Sequence, residues 1–568
     1  MAIDVTSLYN RRRDNRWDRV SVGDFLERVT YSYPHKEAIV AYEGAYAYQD
    51  FARLTYQEAE NAANQFANSL LATGLERGDR VLLYCDNSSE AMIAKLGIAK
   101  AGLVVVPVNT MVALDVTAHI IELTEPKFVL ADAEHVSTIS GLLNEKGIEI
   151  NVVIPLGGEV SNDSQDFKAF LEQSSPSAPE IRIHGDDIWE ILFTSGTTSM
   201  PKGAMISHHN TYFASYNYGM KLSRGLHLET DYKVASFLPV IYHVADQTLP
   251  GSAFLMGGTL LIGRKQSMEG LADMISREKV SALWAGSSES LRDLIEHYQS
   301  HETVYNFKSL TSIIYGYTAL APRYHDTLKA ICSDQVLIWG SFSQTEAIAG
   351  FRFFHDQFAE HYYQNCPLTN YLGKPDPSLA AALMTDEGDL IEGLGKTGEV
   401  VYRSPQMFSG YYKNEKATEE ALAFGWFHSG DLIQFDDHHL AKMVDRDKDI
   451  IKAGGESVSS SRVEAILRSH DDVRNAAVLG FPNDKWGEVV VGFVIKKDNS
   501  KLTESELISY GRQRLAGFET PKSIVFVKEF PETVASKILK YKLKEDYMEA
   551  LPNFKLKLAS FNISTGDL

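Results

Sequence analysis

Residues 191–210 read ILFTSGTTSMPKGAMISHHN and form the most informative stretch of the chain. A short apolar run ends at Phe193 and leads into a loop of threonine, serine and glycine that closes at Pro201-Lys202-Gly203. Backbone N–H groups and hydroxyls on a loop after a strand can donate hydrogen bonds to phosphate oxygens, and a lysine adds positive charge. The stretch therefore predicts a phosphate-binding loop. Its candidate residues are Thr194, Ser195, Gly196, Thr197, Thr198 and Lys202.

The loop does not have the Walker A pattern. That pattern requires a glycine five residues after the first glycine, followed by lysine and then serine or threonine. Here Pro201 lies five residues after Gly196, and Gly203 follows Lys202. Taken alone, the loop is equally compatible with an ordinary flexible Ser/Thr/Gly turn, so the choice depends on the rest of the chain.

The chain on both sides of this loop alternates helical patterns with short buried strands. Residues 54–75 have apolar residues at helical spacing, residues 81–85 read VLLYC, and a second helical pattern over 89–101 leads into GLVVVPV at 102–108. Strand, helix and strand at this spacing predict a βαβ unit in a mostly parallel sheet. Similar Val/Ile/Leu-rich runs recur as FVLADA, VVIPL, VASFLPV, TLLIG, ALWAG, SIIYG and VLIWG. The prediction is an α/β fold whose strands are buried on both faces.

The pattern changes near residue 447. A charged and then glycine-rich segment, VDRDKDIIKAGG, precedes a smaller set of alternating helices and strands that begins with SRVEAILRSHDDV. We therefore predict a large N-terminal domain over 1–447 and a small α+β domain over 448–568.

Composition and charge exclude several classes of protein. Of 568 residues, 44% are hydrophobic and 23% charged, which is typical of a globular chain and not of a disordered one. The net charge of −20 argues against a nucleic-acid binder, which needs a basic surface. Three scattered cysteines favour a reducing, cytoplasmic setting. Neither a secretory signal nor a membrane span is expected, since no apolar run is long enough.

The loop resembles the phosphate loop of the adenylate-forming superfamily, which contains acyl-CoA synthetases, luciferases and nonribosomal adenylation domains. The family pattern is T-S-G-T-T-G-x-P-K-G, and this chain departs from it once, with Ser199 in place of glycine. Further family motifs follow in the expected order over roughly residues 50 to 545. The resemblance implies a large domain of mostly parallel sheets packed with helices, a β-barrel-like part, and a small mobile C-terminal domain.

Residues 342–346, FSQTE, look like the family's aromatic-G-x-T-E motif. The resemblance implies that Phe342 stacks on adenine, Thr345 contacts the α-phosphate and Glu346 helps to hold Mg²⁺. An aromatic face suits a purine and a carboxylate oxygen suits magnesium. The alternative is a Thr-Glu pair that caps a helix. Ser343 replaces the family glycine, so the backbone at this position can differ.

Two later motifs resemble the family's ribose site and hinge. Residues 425–432, GWFHSGDL, look like G-W-x-x-T/S-G-D, so Asp431 is expected to accept hydrogen bonds from the ribose hydroxyls. In the segment DRDKDIIK, the resemblance places Arg446 at the ribose and Lys448 at the pivot between the domains. The preceding stretch 397–414, which ends in GYYKN, also matches the family, and we interpret it as mainly structural.

Two lysines are expected to act in different halves of the reaction. Lys537, in a segment resembling P-x-T-x-x-G-K-I, would neutralise the carboxylate and the α-phosphate during adenylation. Lys452 with Gly454 and Gly455 would face the site only in the second half, where glycine allows the pantetheine arm of CoA to approach the backbone. The alternative is that both lysines are solvent-exposed surface residues without a role in the reaction. Ser536 is the third glycine-to-serine departure.

The acyl pocket is predicted less fully. The segment PVIYHVAD resembles the family's P-x-F-H motif, which places His243 at the border of the acyl site. Two stretches, HVADQ at 243–247 and IKAGGE at 451–456, look closer to ligases for short polar acids, such as carnitine-type betaines and methylthiopropionate.

These motifs imply an ATP-dependent acid:CoA ligase. The enzyme would activate a small-molecule carboxylic acid as acyl-AMP and transfer the acyl group to CoA, with ATP, Mg²⁺ and CoA as cofactors and substrates. A homodimer is common in such families. The alternatives are a luciferase-like oxygenase, a carrier-loading domain and a degenerate nucleotide-binding protein without turnover.

Overall fold

The computed structural model of the chain describes residues 19–146, 152–154, 164–194, 200–223, 226, 232–239, 248–483, 485–532 and 538–550. Several residues singled out above lie outside this part of the chain: Ser195, Gly196, Thr197, Thr198, Ser199, His243, Ser536 and Lys537.

The strands, in chain order, are β1 (Glu37–Ala41), β2 (Arg53–Thr55), β3 (Arg80–Tyr84), β4 (Val104–Pro107), β5 (Phe128–Ala131), β6 (Val152–Ile154), β7 (Ser164–Asp166), β8 (Ile188–Phe193), β9 (Gly203–Ser207), β10 (Lys233–Ser236), β11 (Thr259–Ile262), β12 (Ala282–Ser287), β13 (Ser312–Gly316), β14 (Leu337–Gln344), β15 (Ala347–Phe354), β16 (Tyr371–Pro375), β17 (Ala380–Met384), β18 (Thr397–Arg403), β19 (Phe427–Phe435), β20 (Ala441–Arg446), β21 (Ile451–Ala453), β22 (Glu456–Val458), β23 (Val473–Asn483), β24 (Gly487–Lys496) and β25 (Ser523–Phe526).

The α-helices are α1 (Phe25–Ser32), α2 (Tyr56–Ala72), α3 (Ser89–Lys100), α4 (Leu114–Thr124), α5 (Val136–Glu145), α6 (Phe167–Glu172), α7 (His208–Leu222), α8 (Leu249–Leu255), α9 (Met268–Glu278), α10 (Ser288–Ser300), α11 (Pro322–Ile331), α12 (Ala359–Asn365), α13 (Glu415–Ala421), α14 (Ser460–Arg468), α15 (Glu504–Arg512) and α16 (Lys540–Ala550). Among these helices, none is long and apolar enough to cross a membrane.

The strands form three sheets. A seven-stranded sheet has the order β7-β6-β5-β3-β4-β8-β9 and is parallel except for the last pair, β8 with β9. A thirteen-stranded sheet has the order β17-β18-β19-β20-β16-β15-β14-β13-β12-β10-β11-β1-β2. A third sheet joins β22, β21, β24 and β23, with β25 parallel to β24. The predicted α/β class is therefore confirmed, with a large N-terminal part and a smaller C-terminal one.

The thirteen-stranded sheet changes character along its width. From β1 to β14 its strands are parallel except where β2 pairs with β1, whereas β15 to β20 pair antiparallel. These antiparallel strands correspond to the expected barrel-like part, and they continue the parallel strands in one sheet. The change of direction occurs at the β14–β15 hairpin, which carries the predicted FSQTE motif.

Local sequence explains why the predicted elements form. Helix α2 is capped by Thr55, whose side chain accepts a hydrogen bond from the N–H of Glu58, while the Glu58 side chain accepts one from the Thr55 N–H. This capping box satisfies N–H groups that the first helical turn leaves without partners. The predicted helix over 54–75 is thus confirmed over Tyr56–Ala72.

Helix α3 differs from an ordinary amphipathic helix because every one of its residues is buried. Its two lysines form buried ion pairs, Lys95 with Glu190 at 2.7 Å and Lys100 with Glu60 at 2.7 Å. Burial of a charge is tolerated only when the charge is paired and hydrogen-bonded. The pairs fix α3 against β8 and α2, and β8 leads directly into the predicted phosphate loop.

Candidate active site

A single large cleft collects most of the described candidate residues. Its volume is about 2460 Å³, which exceeds the roughly 300–1,000 Å³ of an ordinary small-molecule pocket. Six of the predicted residues line it: Thr194, Phe342, Thr345, Glu346, Arg446 and Lys448. Residues of the C-terminal part, such as Arg474, Glu488 and Lys540, line it as well. The cleft therefore lies between the large and the small part of the chain.

The ends of the predicted phosphate loop are held by the β8–β9 pair. Phe193 is registered opposite Gly203, and the N–H of Thr194 donates to the carbonyl oxygen of Lys202 at 3.0 Å. A Cβ atom at Gly203 would lie 2.7 Å from Ile191 Cγ2, so glycine is needed for this close pairing. The loop is thereby closed at its base, with Thr194 and Pro201 at the cleft.

Lys202 and Glu346 both contact the side chain of Tyr411. The ammonium nitrogen of Lys202 lies 4.3 Å from the ring centroid of Tyr411, a cation–π contact. The Tyr411 hydroxyl donates a hydrogen bond to Glu346 Oε1 at 2.8 Å. Burial and the charge of Glu346 raise the pKa of Tyr411, so the phenol stays protonated and remains a donor. This role was not predicted from the sequence, where 397–414 is interpreted as mainly structural.

Phe342 lies at a distortion in the β14–β15 hairpin. The pairing register shifts between Phe342 and Gln344, and the Phe342 ring packs on Phe351 with ring centroids 6.4 Å apart. Opposite it, a Cβ atom at Gly350 would lie 1.7 Å from the Phe342 carbonyl oxygen. Only glycine fits at this position. Phe342 is half-buried and lines the cleft.

Asp431 lies beneath the cleft and not on its surface. Its side chain is fully buried, and Arg446, its register partner in β19–β20, lies with Nε 3.2 Å from Asp431 Oδ1. Gln344 Nε2 donates to Asp431 Oδ2 and also to the carbonyl oxygen of Ser429 at 3.0 Å. Gln344, Ser429 and Arg446 line the cleft. Asp431 therefore orients two cleft side chains, and Gln344 is a second residue that motif matching did not single out.

The predicted pivot lies in a short 3-10 turn. This turn, Asp447–Asp449, separates β20 from β21, and Lys448 is exposed within it. Partial desolvation and the nearby Arg446 hold the pKa of Lys448 below its ordinary value. The position of the domain boundary at Lys448 stays a prediction.

Next to this turn, Asp445 links the two parts of the chain. It is buried and accepts hydrogen bonds from the Ser460 hydroxyl at 2.9 Å and from the Ser461 N–H at 3.2 Å. Lys540 bonds the same Ser460 hydroxyl at 2.8 Å and pairs with Glu464 at 2.7 Å. These hydrogen bonds connect the start of α14 to the end of β20 and to the start of α16.

The residues predicted to serve CoA are not among the described residues that line the cleft. They are Lys452, Gly454 and Gly455. They belong to the β21–β22 hairpin, where Lys452 Nζ donates to the Ser457 hydroxyl at 2.9 Å. A Cβ atom at Gly454 would lie 2.7 Å from the Trp486 ring, whereas one at Gly455 would meet nothing within 4 Å. Gly454 is therefore required by packing, and Gly455 leaves its backbone open to a ligand.

The segment that contains Lys537 is bounded by two cleft residues, Glu532 and Ile538, which pair as an isolated bridge. Glu532 is exposed at the rim of the cleft, near Glu289 and Asp293 of α10. Partial desolvation and these two carboxylates raise the pKa of Glu532 to about 7. This acidic group between the two parts of the chain was not anticipated from the sequence.

Comparison with known proteins shows relatives that are named CoA ligases. The chain is 27% identical over 508 residues to a long-chain-fatty-acid–CoA ligase of Mycobacterium tuberculosis, covering 88% of this chain and 94% of the relative. It is 27% identical over 502 residues to a crotonobetaine/carnitine–CoA ligase of Proteus mirabilis, covering 87% and 93%.

A solved structure has the same fold. It is the anthranilate CoA ligase in complex with anthranoyl-AMP, with a TM-score of 0.80, 22% identity, and coverage of 93% of this chain and 98% of that one. The family model of the AMP-binding enzyme C-terminal domain matches residues 462–537. The model named AMP-binding enzyme matches residues 26–412, well over half of the chain, and the chain therefore belongs to the AMP-binding enzyme family.

Proposed function

We propose that this chain is an ATP-dependent acid:CoA ligase. It joins a carboxylic acid to AMP with release of pyrophosphate and then transfers the acyl group to the thiol of CoA with release of AMP. The observation that carries the proposal is the one cleft in which the phosphate-loop base, Phe342, Glu346 and Arg446 converge. The relatives described above, which are named as CoA ligases, support the same reaction.

The first step requires little acid–base chemistry. A carboxylate is already ionised at neutral pH, so no general base is needed for its attack on the α-phosphorus of ATP. The main barrier is repulsion between anions, and catalysis comes from positioning and from positive charge. Lys202 and Lys537 supply that charge, while the hydroxyls of the phosphate loop donate hydrogen bonds.

Glu346 suits a magnesium site. Mg²⁺ is usually held by one or two carboxylates together with substrate phosphates. When bound, Mg²⁺ neutralises phosphate charge. Tyr411 fixes one oxygen of Glu346, which orients the carboxylate toward the cleft before the ion arrives.

Adenine and ribose are assigned to other residues of the cleft. Phe342 offers an aromatic face to the base, and Thr345 a hydroxyl to the α-phosphate. We assign the ribose to Asp431 together with Arg446 and Gln344, the two cleft side chains that it holds.

The second step requires the small domain to turn. The Lys452–Gly455 hairpin, which we assign to CoA, lies away from the described cleft, whereas Glu532 and Ile538 lie at it. Rotation about Lys448 exchanges the two segments. We also propose that the enzyme is cytoplasmic and that it forms a homodimer. Light scattering of the purified chain measures its mass in solution and tests the dimer.

One assay tests the proposed function. The purified chain is incubated with ATP, Mg²⁺, CoA and a panel of short-chain, long-chain, aryl and betaine acids, and pyrophosphate, AMP and thioester are measured together. A ligase forms AMP and acyl-CoA in equal amounts with at least one acid. AMP formation independent of CoA would assign another acceptor, and ATP binding without pyrophosphate release from any acid would leave a nucleotide-binding protein without turnover.

A further inference from the structure

A second cluster of metal-ligating side chains lies apart from the cleft. His361, Asp436 and His438 bring together two imidazoles and a carboxylate, and one ligand atom of each lies within 4.8 Å of the other two. His361 comes from α12, whereas Asp436 and His438 belong to the turn between β19 and β20. These three side chains are not among those that line the described cleft.

The two imidazoles face each other through ring nitrogens. His361 Nε2 lies 3.1 Å from His438 Nδ1, and the ring planes meet at 75°. Two nitrogen ligands of one tetrahedral zinc ion, each bonded at 2.0–2.1 Å, are about 3.3 Å apart. The observed separation is therefore close to one edge of a zinc coordination tetrahedron.

The carboxylate is already oriented. Asp436 is buried, and its Oδ1 accepts hydrogen bonds from the N–H groups of His438 at 3.0 Å and Leu440 at 2.9 Å. Such bonds fix a ligating carboxylate in place. Lys442 Nζ forms an ion pair with Asp436 Oδ2 at 3.7 Å, which is longer than a direct hydrogen bond. Asp437, with Oδ1 3.1 Å from His438 Nδ1, adds a second negative charge.

A second cluster of carboxylates and histidine is not a candidate metal site. Asp86, Asp132, Glu134 and His135 also lie close together. However, an Arg264 nitrogen lies 2.8 Å from Asp132 and 3.0 Å from Glu134, so the protein's own cation already occupies that position.

We propose that His361, Asp436 and His438 bind one Zn²⁺ ion, with the fourth position open to water or Asp437. Two imidazoles and one carboxylate are ligands that zinc accepts in this geometry. The ion ties α12 to the turn of the β19–β20 hairpin. That hairpin also carries the Asp431–Arg446 pair, so the site braces one wall of the cleft from outside.

The test uses the full chain, treated with chelator, without a histidine tag and without ATP. It is titrated with Zn²⁺ by calorimetry and with Co²⁺ by visible absorption. The wild type is expected to bind one Zn²⁺ per chain and to give the intense Co²⁺ bands of a tetrahedral site. His361→Gln and His438→Gln should each weaken Zn²⁺ binding by at least about 100-fold. Loss of a residue that only hydrogen-bonds to a metal ligand already weakens binding by up to about 100-fold, and loss of a ligand itself should cost no less.

His439→Asn is the matched control. His439 is adjacent in sequence, exposed and outside the cluster, and its φ of +56° is one that asparagine tolerates. This variant should bind Zn²⁺ as the wild type does. Thermal unfolding of the zinc-free proteins verifies that each variant folds.

Three results would overturn the proposal: no Zn²⁺ binding by the wild type, unchanged affinity in both ligand variants, or an equal loss in His439→Asn. The two rings would then form only a hydrogen-bonded pair. Because neither ATP nor an acid is present, the outcome is independent of the ligase reaction.

Discussion

The Tyr411 hydroxyl donates a hydrogen bond to Glu346 Oε1 at 2.8 Å, while the same ring lies 4.3 Å from Lys202 Nζ. One aromatic side chain thus connects the lysine that we assign to phosphate with the carboxylate that we assign to Mg²⁺. The two charged groups are brought close without forming an ion pair that would neutralise both.

The first prediction concerns this link. Tyr411→Phe keeps the ring under Lys202 and removes only the hydrogen bond to Glu346. Because hydrogen bonds to charged groups contribute about 1.5–3 kcal/mol, we expect acid-dependent pyrophosphate release to fall about tenfold or more at limiting Mg²⁺. The loss should shrink as Mg²⁺ is raised. Tyr412→Phe, the neighbouring position, serves as the control, and an identical Mg²⁺ dependence in both variants would refute the role of Tyr411.

The second prediction separates the two half-reactions. Lys537→Ala should abolish pyrophosphate release yet spare thioester formation from supplied acyl-AMP. Lys452→Ala should do the opposite, because its hairpin lies away from the cleft in this structure. Each variant is the control for the other. Equal damage to both steps in either variant would show that its lysine serves folding or general binding.

The third prediction concerns pH. The pKa of Glu532, about 7, lies above its ordinary value of 4.5 because of partial desolvation and the charges of Glu289 and Asp293. The stabilising contribution of protonated Glu532 near α10 is therefore fully present below about pH 4.5 and is lost as pH rises through about 7. We expect the ratio of wild-type to Glu532→Gln adenylation rates to fall between about pH 6 and 8. A ratio that stays flat, as expected for the control Glu529→Gln, would contradict this account.

The fourth prediction concerns stability. Lys95→Met keeps the aliphatic stem of the buried lysine and removes its charge from beside Glu190. Breaking a buried pair in this way costs about 3–5 kcal/mol of unfolding free energy. Urea denaturation measures it, and the double variant Lys95→Met/Glu190→Gln should recover part of the loss. Lys416→Ala, at an exposed pair with Glu420, should change stability by less than about 1 kcal/mol. Similar losses in the two single variants would disprove the role of the buried pair.

The sequence predicted the elements well because strand burial leaves a strong local pattern. Apolar runs such as SIIYG and ALWAG became β13 and β12, and the 54–75 pattern became α2. The phosphate loop could be predicted because hydroxyls, glycines and lysine are contiguous there. Motif resemblance also placed Phe342, Glu346 and Arg446 at one cleft.

The sequence did not predict contacts between distant segments. Tyr411 contacts Glu346, and Gln344 of β14 contacts Asp431 of β19, only after segments distant in the sequence have assembled. No spacing within one segment marks such partners. The same reason explains the two buried lysines of α3, whose partners lie in α2 and β8, and the histidine cluster joining α12 to the β19–β20 turn.

The central claim is that the acid attacks the α-phosphorus of ATP. Turnover of an acid whose two carboxylate oxygens are ¹⁸O, followed by mass spectrometry of AMP and acyl-CoA, tests this most directly. Attack forms a bridging oxygen, and the thiol then breaks the acyl–oxygen bond, so one ¹⁸O should appear in AMP and one should stay in the thioester. Label in inorganic phosphate or pyrophosphate, or AMP without label, would contradict the account.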